Sequence, residues 1–165
     1  MKILVLSDSH CALRFMRQAI QTVKPDAVIH LGDHYDDGQA MAEENPHIPF
    51  HCVAGNCDRY RCPPSARELL CYTIGGAMIY MTHGHCQHVK TDLYRLLLDA
   101  RKYGAQAALY GHTHVADCRM EEDGLWVMNP GSCGHSGGSV GLIEIENERI
   151  LTCRILSQTD LEEMV

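Results

Sequence analysis

Five short apolar runs in this chain break off into clusters of aspartate, histidine and asparagine. Residues 2–7 end at Asp8-Ser9-His10, and residues 27–31 end at Gly32-Asp33-His34-Tyr35-Asp36-Asp37. Residues 49–54 end at Gly55-Asn56-Cys57-Asp58, residues 77–82 at His83-Gly84-His85, and residues 105–110 at Gly111-His112-Thr113-His114. A short apolar run bounded by polar residues is the pattern of a strand buried on both faces. Between the first two runs, Leu13, Met16, Ile20 and Val23 recur at helical spacing until Lys24-Pro25 stops them. Strand, helix, strand describes an α/β fold, in which ligands bind beyond the carboxyl ends of the strands. The clusters converge for that topological reason.

The remaining elements fit one domain over residues 1–165, a length that supports a sizeable core. The pattern predicts a short helix over 38–44 and a hairpin of strands 70–75 and 77–82 about Gly75-Gly76. A helix over 92–103 has Leu93, Leu96, Leu97 and Ala100 inward, Thr91 as N-cap and Gly104 past its end. Strands follow at 115–120, 125–128, 140–145 and 150–156, with Asn129-Pro130-Gly131-Ser132 a tight polar loop and 134–138 small and flexible. The acidic tail, 157–165, is expected to be loosely ordered, either frayed or a short helix.

Composition narrows the function. No apolar run approaches the ~20 residues of a membrane helix. Nine cysteines form no Cys-x-x-Cys pair, and without an export signal they read as reduced thiols of a cytoplasmic protein. A net charge of −7 argues against a stable nucleic-acid complex. An anionic substrate needs something local and strongly positive, which metal ions supply.

The clusters offer Asp8, His10, Asp33, Asn56, His83, His112 and His114: two carboxylates, one amide and four imidazoles. One ion takes three or four protein ligands, so seven suit two ions sharing a carboxylate. The order Asp-x-His, Gly-Asp-x-x-Asp, Gly-Asn-x-Asp, His-Gly-His, Gly-His-x-His resembles the calcineurin-like metallophosphoesterases. It is most similar to their small, cap-free prokaryotic phosphodiesterases, where Gly-Asn-Cys-Asp also occurs. The likeness runs from residue 1 to about 156 and implies a four-layer α/β/β/α sandwich of two mixed sheets flanked by helices. It implies that Asp8, His10 and His114 hold one divalent ion, that Asn56, His83 and His112 hold a second, and that Asp33 bridges them. Mn2+ is the expected metal, with Ni2+, Fe2+, Co2+ or Zn2+ also compatible with mixed ligands. The implied reaction is in-line attack on a small phosphodiester by a hydroxide bridging the ions. Phosphomonoester hydrolysis at the same site, or a metal-binding protein-interaction scaffold on the same fold, stands as the alternative. Oligomeric state is open.

Many relatives carry histidine after the Gly-Asn pair to protonate the leaving oxygen; here that position is Cys57. His85 is the candidate replacement, the competing role being a hydrogen bond to a ligand. Asp58, the other candidate for the catalytic set, and Asp36 orient ligands or cap their own loops. His34 is expected in solvent, His30 and His51 within the sheet, and His47, His88 and His135 have no assigned role. Arg14, Arg59 and Arg61 are candidate phosphate contacts or plain surface residues. Cys11, Cys86 and Cys133 are expected as small packing residues.

Overall fold

Strand β1 (Lys2–Leu6) alternates between two cores: Ile3 and Val5 face one, Leu4 and Leu6 the other, and all four are fully buried. The same division runs through β2 (Ala27–His30), where Ala27 and Ile29 oppose Val28. Continuous apolar sequence is therefore required, because both faces of these central strands are covered. The structure is a computed structural model and describes residues 1–134 and 137–164. His135, and with it the middle of the small-residue segment 134–138, lies outside the described residues.

Two five-stranded mixed sheets stack face to face. One has the order β10 (Arg149–Ser157), β9 (Ser139–Glu146), β1, β2, β3 (Phe50–Cys52). The other runs β4 (Leu69–Ile74), β5 (Ala77–Thr82), β6 (Ala107–Leu109), β8 (Trp126–Asn129), β7 (Asp117–Met120). Strands β1, β2 and β3 pair parallel, as do β5, β6 and β8; β9 pairs antiparallel with β1 and β10, β4 with β5, and β7 with β8. Ile79, Met81, Leu109 and Met128 meet Ile3, Val5 and Ile29 between the sheets. Helices α1 (Leu13–Val23), α2 (Tyr35–Glu44) and α4 (Gln158–Glu163) cover the first sheet; α3 (Tyr94–Lys102) covers the second. The expected α/β/β/α sandwich is thus the architecture. Among the described residues no helix is long and apolar enough to cross a membrane.

The departures from expectation have local causes. Helix α2 starts at Tyr35 rather than 38 and continues through Gly38, where a Cβ would stand 3.0 Å from Cys52 Sγ and 3.2 Å from the His30 ring. Glycine there lets the helix lie directly on β2 and β3. Helix α3 starts at Tyr94 without a side-chain cap from Thr91; Asp92 Oδ1 accepts from the Tyr94 amide instead. The C-terminal segment takes the helical one of its two expected forms. Ser157 and Asp160 form a reciprocal capping box, and Leu161 is fully buried against the α1 face. Leu161→Ala is expected to lower stability by about 2–5 kcal/mol, read from the urea midpoint; a midpoint unchanged from wild type would mean the segment does not anchor the sheet.

Candidate metal centre

All five clusters stand at one end of the sandwich, just beyond β1, β2, β3, β5 and β6. Asp8 is fully buried. Its Oδ2 accepts from Ser7 Oγ at 2.6 Å and from the His112 amide at 3.1 Å, and its Oδ1 faces His114 Nε2 at 3.0 Å. The ligand atoms of Asp8, His10, Asp33 and His114 all lie within 4.8 Å of one another. Gly111 makes this approach possible, since a Cβ there would collide with the Ser7 hydroxyl and Asp8.

A second group overlaps the first at Asp33. His83 is fully buried, and its Nδ1 lies 2.8 Å from the Leu31 carbonyl. That carbonyl accepts only, so Nδ1 carries the proton and Nε2 turns to the cluster. There Nε2 lies 3.1 Å from Asn56 Oδ1 and 3.4 Å from Asp33 Oδ1, and the His112 ring centroid is 5.0 Å away. Lone pairs of an imidazole, an amide and a carboxylate face one another and repel unless a cation lies among them. A proton serves in the metal-free protein. Burial opposes charge on His83, but Asp33 and Asp8 outweigh it and raise its pKa. Burial likewise opposes ionisation of Asp33, and His83 with the Cys57 amide outweighs it, holding the carboxyl below the usual range. A divalent cation among these donors would take the place of that proton. Two further imidazoles are held toward the neutral form that can ligate: burial and neighbouring His34 lower His10, and burial with His83 brings His112 down to about 4.

The backbone supplies a further observation. Asp8, His10, Asp33, His112 and His114 all have φ between +43° and +68°. Non-glycine residues in the left-handed region are strained, and such strain gathers at functional sites. The neighbours Cys11 and His34 share it.

The bracing residues are less obvious from sequence. Asp58, fully buried, accepts from the amides of Asp33 at 2.9 Å, Tyr35 at 2.8 Å and Gly55 at 2.7 Å. In these bonds it touches backbone and no ligand side chain, which suits a positioning role on Asp33. Asp36 is exposed and pairs with Arg61 at 3.3 Å, outside the cluster. Arg59 lies over the Tyr60 ring. His34 is not in solvent: its ring packs edge-on to His10 at 5.0 Å, and its Nδ1 is 3.5 Å from Cys11 Sγ. His51 on β3 contacts the Tyr72 hydroxyl on β4 across the two sheets, while His47 and His88 are exposed. All nine cysteines are free; Cys133 is buried, but Cys11 and Cys86 are exposed on the rim and do not pack a core.

Sequence reasoning gave no role to Asp37 and placed His30 only as a core residue. The Gly32 amide donates to His30 Nδ1, His30 Nε2 meets Ser9 Oγ at 3.0 Å, and Ser9 Oγ donates to Asp37 Oδ2 at 2.8 Å. This chain ties the Asp8-Ser9-His10 loop to β2 and α2. Asn129 braces the other side, donating to Gly111 O and Thr113 Oγ1, while Ser132 Oγ donates to Asp8 O. Complete burial pushes His30 down to about 4. The unfolded chain then binds a proton near pH 6.5 that the folded chain refuses until about pH 4. Stability is therefore lost as pH falls through that window. Between pH 7 and 5 the His30 share is about 2 kcal/mol. Urea unfolding of chelator-treated protein at both pH values tests this: His30→Gln is expected to flatten the decline, and an equal slope in the variant would assign the loss elsewhere.

Beside Asn56 and His83 opens a cleft of about 580 Å³, lined among others by Asn56, Cys62, Pro64, Glu68 and His85. His85 Nε2 lies 3.6 Å from Glu68 Oε1, and its Nδ1 is buried without a hydrogen-bond partner. Burial and nearby His83 lower its pKa. Cys57 is the less suitable acid: burial and Asp33 push its thiol up to about 11.

A family model for the calcineurin-like phosphoesterase superfamily domain matches residues 1–148. The chain belongs to that superfamily. It is 31% identical over 138 residues to the probable metallophosphoesterase YsnB of Bacillus subtilis, covering 80% of this chain and 75% of the relative. It is 28% identical over 170 residues to the phosphodiesterase MJ0936 of Methanocaldococcus jannaschii, covering 90% and 95%. The crystal structure of Vps29 complexed with zinc from Entamoeba histolytica shares the fold, with a TM-score of 0.71 at 21% identity over 95% of this chain and 99% of that one. As a calcineurin-like phosphoesterase, the chain is expected to use divalent metals, and Asp8, His10, Asp33 and His114 form a group able to hold one.

Proposed function

We propose that this phosphoesterase hydrolyses small phosphodiesters with two divalent ions, Mn2+ foremost. Asp8, His10 and His114 hold one ion, Asn56, His83 and His112 the other, and Asp33 is shared. The observation that carries this reading is the position of Asp33 in both donor groups, with His83 Nε2 turned toward its carboxylate at 3.4 Å. Bound ions supply Lewis acidity at the phosphoryl group and a water acidified to near neutral pKa. The protein's own part is placement. Ser7 and the His112 amide orient Asp8; Leu31 O fixes the His83 ring; Asp58 fixes the Asp33 backbone. His85, steadied by Glu68 with its other nitrogen unpartnered, donates the proton that the leaving oxygen takes. The name of the archaeal relative, a phosphodiesterase, favours diesters. Likeness to Vps29 keeps the scaffold reading as the second one.

Metal-stripped protein is assayed on bis(p-nitrophenyl) phosphate and p-nitrophenyl phosphate, with Mn2+, Ni2+, Zn2+ or Mg2+ restored separately. The expected result is Mn2+-dependent diester cleavage exceeding monoester cleavage. His85→Ala is expected to keep its metal and lose roughly a hundredfold in rate; full rate and an unchanged pH profile in that variant remove His85 from the mechanism. Cleavage of the monoester alone makes this a phosphomonoesterase. Metal binding without cleavage of either ester selects the scaffold.

A further inference from the structure

A separate set of metal-type donors meets at the mouth of the cleft. Strands β4 and β5 pair antiparallel with Leu69 opposite Thr82, so Glu68 lies beside the turn that follows β5. Thr82 Oγ1 donates to Glu68 O at 2.9 Å, pinning that backbone. In the turn, Gly84 O accepts from the Gln87 and Val89 amides, and Val89 packs where a Cβ on Gly84 would stand. The turn presents His85 and Cys86 together toward the Glu68 carboxylate. Glu68 Oε1 lies 3.6 Å from His85 Nε2, and Oε2 accepts from Cys86 Sγ at 3.3 Å. The ligand atoms of all three lie within 4.8 Å of one another.

We propose that Glu68, His85 and Cys86 bind one thiophilic divalent cation of the zinc class, distinct from the seven-residue centre. Carboxylate, imidazole and thiolate are the zinc ligands of proteins. Around a tetrahedral ion with bonds of about 2.0–2.3 Å, neighbouring donors stand about 3.3–3.6 Å apart. His85 Nε2 and Cys86 Sγ reach the two oxygens of the one carboxylate at 3.6 Å and 3.3 Å, close to that spacing. Water completes the fourth position. Glu68 and Cys86 are exposed, so the ion has a path from solvent. Sulfur separates the two preferences, because none of the seven central donors is a thiol and soft thiolate selects soft or borderline ions. Occupation takes His85 away from the leaving group, so the ion inhibits hydrolysis; that consequence, unlike the site, rests on the proposed diesterase activity.

Cadmium is the probe, titrated into the Mn2+-loaded protein and followed by its thiolate charge-transfer absorbance in the ultraviolet. One saturating equivalent is expected in wild type. Cys86→Ser is expected to lose the band, and Glu68→Gln to weaken Cd2+ binding by at least about tenfold. Cys11→Ser is the control, because Cys11, His34 and Asp37 also bring ligand atoms within 4.8 Å of one another. Cys86 is exposed, and an unchanged Tm of the serine variant checks its fold. A band that persists in Cys86→Ser, or no band in wild type, overturns the site. Absorbance reads the site even if the protein cleaves neither ester, so the two readings fail separately. Equal inhibition by Zn2+ in wild type and Cys86→Ser overturns the regulatory consequence.

Discussion

Asp33→Asn is expected to lower metal-dependent ester hydrolysis by about 10³-fold or more, equivalent to roughly 4 kcal/mol of transition-state stabilisation. Asp33 is the side chain that belongs to both donor groups. Its carboxylate accepts from the Cys57 amide at 2.9 Å, a bond an asparagine carbonyl can retain. The substitution therefore removes one negative charge and one donor oxygen while leaving the loop anchored. Bound metal, measured by atomic emission after dialysis, should drop from about two ions per chain to one or fewer, since a structural gap of one ligand in each group weakens both. Circular dichroism should be unchanged. A variant that keeps two ions and full rate would show that Asp33 does not bridge.

Asp58→Ala is expected to cost stability as well as activity. Three amides, those of Asp33, Tyr35 and Gly55, donate to this one buried carboxylate. Each orphaned buried amide costs about 1–3 kcal/mol, so the sum for three is about 3–9 kcal/mol, less where water enters. Asp58→Asn should fall between wild type and alanine. Its carbonyl oxygen can serve the Asp33 and Gly55 amides, while its NH2 meets the Tyr35 amide donor to donor. The measurement is a urea midpoint with and without Mn2+, paired with the diester rate. Saturating metal should restore part of the stability, as ligand binding to the folded state does. A rate loss that metal saturation fully reverses would mean Asp58 acts on affinity alone; a loss that persists would mean it also sets the placement of Asp33 during turnover.

The metal-type residues were legible in the sequence because both signals are local: an apolar run marks a doubly buried strand, and the residue just past it stands at the strand's end. Asp8, Asp33 and His83 needed no more than that. The hairpin turn was legible for the same reason, since Gly75 and Gly76 both take positive φ. Bracing is not local. Ser9 reaches His30 and Asp37 across 21 and 28 residues of chain, and polar residues in such positions look like any loop or helix start. Asp58 could be placed near the site but not given its partners, because a carboxylate that binds amides has no distinguishing neighbour in sequence. The tail left two forms open, because a single buried Leu161 in an acidic stretch carries too little periodicity to choose a docked helix over a frayed end.

The left-handed backbone of the strand-end loops bears on how this protein responds to selection for heat resistance. Seven non-glycine residues there, Asp8, His10, Cys11, Asp33, His34, His112 and His114, sit in a conformation that glycine adopts without penalty. An ordinary thermostabilising screen would favour glycine at these positions, and five of the seven are donors in the proposed metal centre. The cheapest gains in robustness and the chemistry compete for the same residues, so durable variants of this phosphoesterase must be sought in its helices and sheet edges, away from the loops that give it a purpose.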